Sequence, residues 1–237
     1  DLPDLIMSNL NTATVVTNAN QGTFIPLDDL VANYGYWYKE MLEKETMLQD
    51  MMICPDGHQY SMPRVIVSKP NSMSGRAWIN HTWMERLNLE TPGTTEELRA
   101  VLQAFKDQDA NGNGDPNDEY PWMGCNDTWR GFGDEYIMNS FVQYNRDTPY
   151  YIDDDGNVQA AYDKDAYREG LRYWHSLVEA NLFDPTSFSQ GINQLKQVFE
   201  DPECSKVGLA CAGGQFCITD QLGDRSREYS PLAPVAG

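Results

Sequence analysis

Apolar residues recur at helical spacing along several stretches of this chain and gather in short unbroken runs along others. The clearest helix starts at Thr94, where Leu98, Val101, Leu102 and Phe105 fall at i, i+3, i+4 and i+7 and share one face. Its start is also marked. Thr94 is followed three residues later by Glu97, the spacing of a capping box that satisfies two otherwise unpaired amides. A second long helix is predicted from Asp163 to Leu182, with Tyr167, Leu171, Trp174 and Val178 inward. A third runs from Ser187 to Glu200 through Ile192, Leu195, Val198 and Phe199. Phe24 to Leu30 reads as a helix entry, Tyr38 to Asp50 as helix, and Thr82 to Leu87 as a short helix.

The short apolar runs read as strands: Leu5-Ile6-Met7, His58 to Met62 ending at Pro63, Arg76 to Asn80, and Lys206 to Ala212. An Asn- and Thr-rich polar stretch separates the first of these from Gly22, and Asp56-Gly57 marks a turn. Tyr151-Ile152 and Val158 flank Asp154-Asp155-Gly156-Asn157, the pattern of a hairpin. Strands alternating with helices define an α/β class. The chain opens on a strand-like run and stops after Pro231 and Pro234 with no closing element, so both ends read as cut.

Composition narrows the possible partners. The 237 residues include 36 acidic and 17 basic ones, for a net charge of −19. Nucleic-acid binding needs a positive stripe, and no Lys/Arg cluster is present. Anionic membrane surfaces are disfavoured for the same reason, and no apolar run is long enough to span a bilayer. The five cysteines, Cys54, Cys125, Cys204, Cys211 and Cys217, form no CxxC pair and read as buried thiols, with a Cys211–Cys217 bridge as the alternative.

Residues 107 to 119 carry the strongest chemical signal. DQDANGNGDPNDE sets side-chain oxygens at Asp109, Asn111 and Asn113, with Gly112 and Gly114 between them. Calcium takes six to eight oxygens, and alternate residues of a tight loop can aim theirs inward. Asp118 and Glu119 supply closing carboxylates. Two registers compete: one starts at Asp107 and ends at Asp118, and the other starts at Asp109 and adds the Asp115 carbonyl before Asp118 or Glu119. Pro121 follows directly, so the loop braces structure and is not a sensor that opens.

Enzyme signatures are weak. Ser72-Met73-Ser74-Gly75 lacks the first glycine of a nucleophile elbow, and His58, His81 and His175 stand apart from one another. Asp134-Glu135 is the one carboxylate pair near an aromatic loop, which leaves a glycoside hydrolase as the alternative reading. A dockerin-like module would carry duplicated calcium loops, and the sequence has one.

DLPDLIM, GTFIPLDDL, DGHQYSMP, the long block from Trp78 to Pro121, and YREGLRYWHSLVEANLFDPTSFSQ together resemble the family 1 extracellular solute-binding proteins of ABC importers. The resemblance is to the lipoprotein branch in Gram-positive bacteria and extends to alginate-binding relatives. It implies a two-lobed, periplasmic-binding-protein-like fold of type II. Residues 1–66 would form an incomplete first lobe, and residues 67–237 the second lobe with the calcium loop. It further implies an oligosaccharide held between lobes without turnover, a lipid-anchored extracellular monomer, and ABC permease subunits as partners. The family's calcium loop usually reads DxNGNGxxDE, and one extra residue stands here between Asp115 and Asp118. Family membership places the ligand at loops beyond strand ends, which nominates Asn9, Arg64, Trp129, Arg130, Phe132, Gln215 and Phe216. Trp37, Trp78, Trp83 and Trp174 sit on amphipathic or strand patterns and read as core.

Overall fold

A computed structural model describes all residues except 1, 2, 9, 67, 73 and 74. The chain divides into two compact units, Asp1–Val67 and Ser68–Gly237.

The first unit is mainly helical: α1 (Thr12–Asn20), α2 (Asp28–Tyr34), α3 (Tyr36–Lys44) and α4 (Met47–Met52). The polar stretch before Gly22 is therefore a helix. Asn11 caps it by accepting from the Thr14 amide at 2.8 Å, a local side-chain bond that apolar periodicity does not reveal. Leu5-Ile6-Met7 is not a strand, and Leu5 and Met7 are exposed. The expected strand from His58 to Met62 reduces to a single bridge, Ile53 to Gln59, closed by the turn at Gly57. Trp37, expected in a core, is exposed.

The second unit follows the sequence more closely. A short helix α5 (Lys69–Ser72) precedes strand β1 (Ala77–Asn80), α6 (His81–Arg86) and α7 (Thr95–Asp107). Strand β2 (Tyr120–Trp122), α8 (Asp134–Met138), the hairpin β3 (Tyr150–Ile152) and β4 (Val158–Ala160), and α9 (Asp165–Glu179) come next. The chain closes with α10 (Ile192–Phe199), β5 (Val207–Cys211) and β6 (Tyr229–Leu232).

The main sheet has the order β2-β5-β1-β6. Strand β5 is buried along its whole length, as a central strand covered on both faces must be. The two strands that the apolar pattern missed, β2 and β6, are the edges, and each holds a proline, Pro121 and Pro231. Proline cannot donate to a ladder, so it is tolerated there and masks the strand signal.

Helix α7 forms as its spacing requires. The Thr94 hydroxyl accepts from the Glu97 amide at 3.2 Å, and the Glu97 carboxylate accepts from the Thr94 amide at 3.2 Å. Leu98, Leu102 and Phe105 are fully buried, each contributing about 1.5–3 kcal/mol of hydrophobic stabilisation. Helix α9 is rotated from expectation: Gly170, Trp174 and Leu177 face inward, while Leu171 is exposed. The predicted third helix is split, with a 3-10 turn at Pro185–Phe188 ahead of α10. All five cysteines are free thiols, so no Cys211–Cys217 bridge forms. No helix among the described residues is long and apolar enough to cross a membrane.

Candidate functional site

Sheet topology gathers the candidate residues at one edge. Strand β2 runs parallel to β5, while β1 is antiparallel to both β5 and β6. The carboxyl ends of β2, β5 and β6 and the start of β1 therefore lie together. Gly213, Gly214, Gln215 and Phe216 follow β5, Arg76 precedes β1, and the loop from Met123 to Gly133 follows β2. Open α/β sheets place ligands at such strand ends.

The loop after β2 is held on several sides. The Cys125 amide donates to the Gly131 carbonyl at 3.1 Å, and the Asn126 amide to the Gln190 carbonyl at 3.3 Å. The Gln190 side chain donates to the Gly124 carbonyl at 2.6 Å, and Asp127 accepts from the Ile192 amide that opens α10. Burial beside Asp127 pushes the Cys125 thiol up to about 11, so it stays protonated packing material. This frame presents Trp129, which is 40% exposed. The Trp129 carbonyl accepts from the Gly213 amide at 2.8 Å, and the indole lies against Gly213 so closely that a β-carbon there would overlap the ring. Phe216, also exposed, folds its ring against Gly214.

Arg130 takes a positive φ of 59° and turns into an ion-pair network. It reaches Glu135 on α8 and Asp147 at 3.0 Å. Glu135 also accepts from the Arg146 amide at 2.9 Å, and Arg146 stands 3.6 Å from Asp134 with its guanidinium 4.8 Å above the Phe132 ring. Burial raises the Glu135 carboxyl above its ordinary value, against the lowering effects of the Arg146 amide and Arg130. Phe132 itself belongs to an aromatic cluster, 5.1 Å from Trp174 and 5.2 Å from Phe188 between ring centroids. The Gln215 amide is spent on the Ser226 and Tyr229 carbonyls. Trp129, Arg130, Phe132, Gln215 and Phe216 thus share one end of the second unit. Trp129 and Phe216 offer open apolar faces, whereas the other three are largely committed to the fold. Arg64 is an exposed residue of the first unit, and Asn9 lies outside the described residues. Arg146 and Asp147 fall in an Asn/Asp-rich turn with no periodicity, so no local sequence pattern marks them.

The acidic loop lies at the opposite end of the sheet, leading into β2 where Tyr120 pairs with Val207. Five strand residues separate the two ends of β5, about 15 Å. Asp109 accepts from the amides of Gly112, Asn113 and Gly114 at 2.8 to 3.0 Å. Asn111 and Asn113 both donate to Asp118, at 2.8 and 2.9 Å. Asp115 turns aside to Asn117. Gly112 holds a φ of 76° with the Arg86 guanidinium packed against it, so a side chain there would strain the backbone and displace the guanidinium. Among the described residues no group of three or more His, Cys, Asp or Glu side chains stands as a formed metal site. The donor set is nevertheless all oxygen, and Glu119 Oε2 is buried without a partner, as a loop suited to a hard cation would leave it. Burial raises the Glu119 carboxyl accordingly.

Solved structures that resemble this chain are mixed α/β proteins of the periplasmic-binding-protein type. The substrate-binding protein FusA of Streptococcus pneumoniae, solved in complex with kestose, superposes with a TM-score of 0.79 at 29% identity, over 96% of this chain and 46% of that one. An HMO-binding, ABC-transporter-associated solute-binding protein from Bifidobacterium longum infantis ATCC 15697 shares the fold, with a TM-score of 0.73 over 92% of this chain and 45% of that one, at 24% identity. In sequence, the fructooligosaccharide ABC transporter substrate-binding protein FusA of Streptococcus pneumoniae serotype 4 (strain ATCC BAA-334 / TIGR4) is 34% identical over 202 residues, 81% of this chain and 37% of that protein. The polygalacturonan/rhamnogalacturonan-binding protein YtcQ of Bacillus subtilis (strain 168) is 25% identical over 169 residues, 64% of this chain and 32% of that protein. No family model matches the chain. The homologues that cover most of this chain are substrate-binding proteins of ABC transporters, and the family 1 extracellular solute-binding resemblance fits them. The chain spans less than half the length of these relatives.

Proposed function

We propose that this protein is the solute-capturing component of an ABC importer and that it binds an oligosaccharide without chemical turnover. The observation that carries this reading is the Trp129 shelf: a half-exposed indole, locked over Gly213 at the carboxyl ends of parallel strands, with the exposed Phe216 ring against the adjacent Gly214 in the loop after β5. Flat aromatic faces suit the C–H surfaces of sugar rings, and the surrounding carboxylates can accept from sugar hydroxyls. The similarity to a fructooligosaccharide-binding protein favours the same ligand class here. Homology to binding proteins, together with carboxylates tied into ion pairs at Asp134 and Glu135, argues against a glycosidase.

In this reading residues 1–66 belong to an N-terminal lobe and residues 67–237 to the second lobe of a two-lobed protein. It works outside the cell as a lipid-anchored monomer and delivers its ligand to ABC permease subunits. Calcium braces the second lobe through Asp109, Asn111, Asn113, Asp118 and Glu119, away from the sugar. The existence of an EF-hand mutant of FusA supports that assignment. Asn9 and Arg64 complete the proposed ligand set, while Arg130, Phe132 and Gln215 support the Trp129 end from within the fold and Asp115 shapes the calcium loop through Asn117.

A thermal-shift screen of the calcium-loaded protein against mono- and oligosaccharides tests the reading. A ligand at a hundred times its dissociation constant adds about 2.7 kcal/mol, a rise of several degrees. If no sugar raises the melting temperature, carbohydrate capture is wrong.

A further inference from the structure

The charge of the sugar admitted at the Trp129 end can be read from its arginines. An anionic oligosaccharide carries a carboxylate on each uronate ring, and burying one against protein calls for a guanidinium or ammonium able to pair with it. Three arginines and one lysine lie at this end, and the fold already engages each of them; Lys196 donates to the Phe216 carbonyl at 3.2 Å. Arg130 is bound by Glu135 and Asp147, the latter at 3.0 Å. Arg146 lies over Phe132 and 3.6 Å from Asp134. Arg76 donates to the carbonyl of Gly213, the residue against which the indole packs, at 3.0 Å. Against these cations stand four carboxylates: Asp127 in the loop after β2, Asp134 and Glu135 at the start of α8, and Asp147 in the turn beyond it. The net charge of −19 repels an incoming polyanion as well.

Resting on the sugar-capture reading, we propose that this site selects neutral over anionic oligosaccharides, with Glu135 as the specificity-determining residue. Glu135 is pinned from two sides: Arg130 binds it through the guanidinium, and the Arg146 amide donates to it at 2.9 Å. It therefore holds Arg130 in a pair that a uronate would otherwise claim. A uronate would have to displace a buried internal ion pair and stand among like charges. A neutral sugar meets acceptors that its hydroxyls can use.

Calorimetric titration of the protein at low ionic strength tests this with kestose, nystose and lacto-N-tetraose as neutral probes and trigalacturonate as the anionic one. The expected result is saturable binding of at least one neutral probe, with trigalacturonate at least about tenfold weaker. Glu135→Gln should raise trigalacturonate affinity by at least about tenfold relative to the neutral sugar, because Arg130 loses its main partner. Asp147→Asn, at an exposed position where folding is safe, should move the ratio the same way. Trigalacturonate binding as tight as the neutral probe, or a ratio that neither variant changes, overturns the selectivity and leaves sugar capture standing. Binding of no probe at all overturns both.

Discussion

The Trp129 indole rests on the backbone of Gly213, and the two residues are joined by a 2.8 Å bond from the Gly213 amide to the Trp129 carbonyl. One comes from the loop after β2 and the other from the end of β5, so the contact welds two strand ends into a single surface. Gly213→Ala would drive a methyl group into the ring. It should cost about 1–3 kcal/mol of stability, as overpacking does, and weaken sugar binding at least about tenfold by tilting the indole. Parallel denaturant unfolding and calorimetry would check both; unchanged affinity would mean that Trp129 does not meet the sugar.

The capping box of α7 should behave as an independent structural element. Thr94→Ala removes the acceptor for the Glu97 amide, at a cost of about 1 kcal/mol. For a protein of this size that corresponds to a melting temperature about 2–4 °C lower. Sugar affinity should not change, because α7 contributes none of the Trp129 end.

The calcium assignment predicts a melting temperature several degrees higher in calcium than in EDTA. Asp118→Asn, which keeps the shape of the residue on which Asn111 and Asn113 converge, should abolish most of that difference. Arg86→Ala should reduce it less, since Arg86 supports the loop from beneath Gly112 and supplies no oxygen. Equal melting in calcium and EDTA would mean that the Asp109 to Glu119 loop holds no calcium.

Glu135 sets a pH dependence whose sign follows from its burial. Its carboxyl is raised above the ordinary value of 4.5 when folded, so the fold favours its protonated form. That stabilisation is complete below the unfolded-state value and is lost as pH rises through the folded-state value. The stability of the wild type relative to Glu135→Gln should therefore be greatest near pH 4 and decline towards neutrality, measured by denaturant unfolding of both proteins across that range. A relative stability that grows with pH would show that the Arg130 pair outweighs burial.

The second unit was far more legible in the sequence than the first. Helix α7 announces itself because capping, periodicity and burial agree at Thr94, Leu98, Leu102 and Phe105. The Asp109 to Glu119 loop is likewise visible, since its oxygen and glycine spacing is local. Helix α1 was hidden because its nine residues are mostly polar and its signal is a single Asn11 cap. Leu5-Ile6-Met7 looked like a strand on composition alone, yet strands need a neighbour to pair with, and none follows from apolar character. Trp129 could be picked out as a bulky ring in a glycine-containing loop. Its partners Gly213, Arg146 and Asp147 could not, because only the parallel pairing of β2 with β5 and the fold of α8 bring them together.

Capture of sugar on the Trp129 face is decided by isothermal titration of fructooligosaccharides into the wild type and Trp129→Ala, with the sugar recovered and analysed afterwards. The expected outcome is saturable one-to-one binding by the wild type, a loss of at least about tenfold in the variant, and sugar returned intact. Equal binding by both proteins, or shortened sugar in the recovered solution, would contradict it.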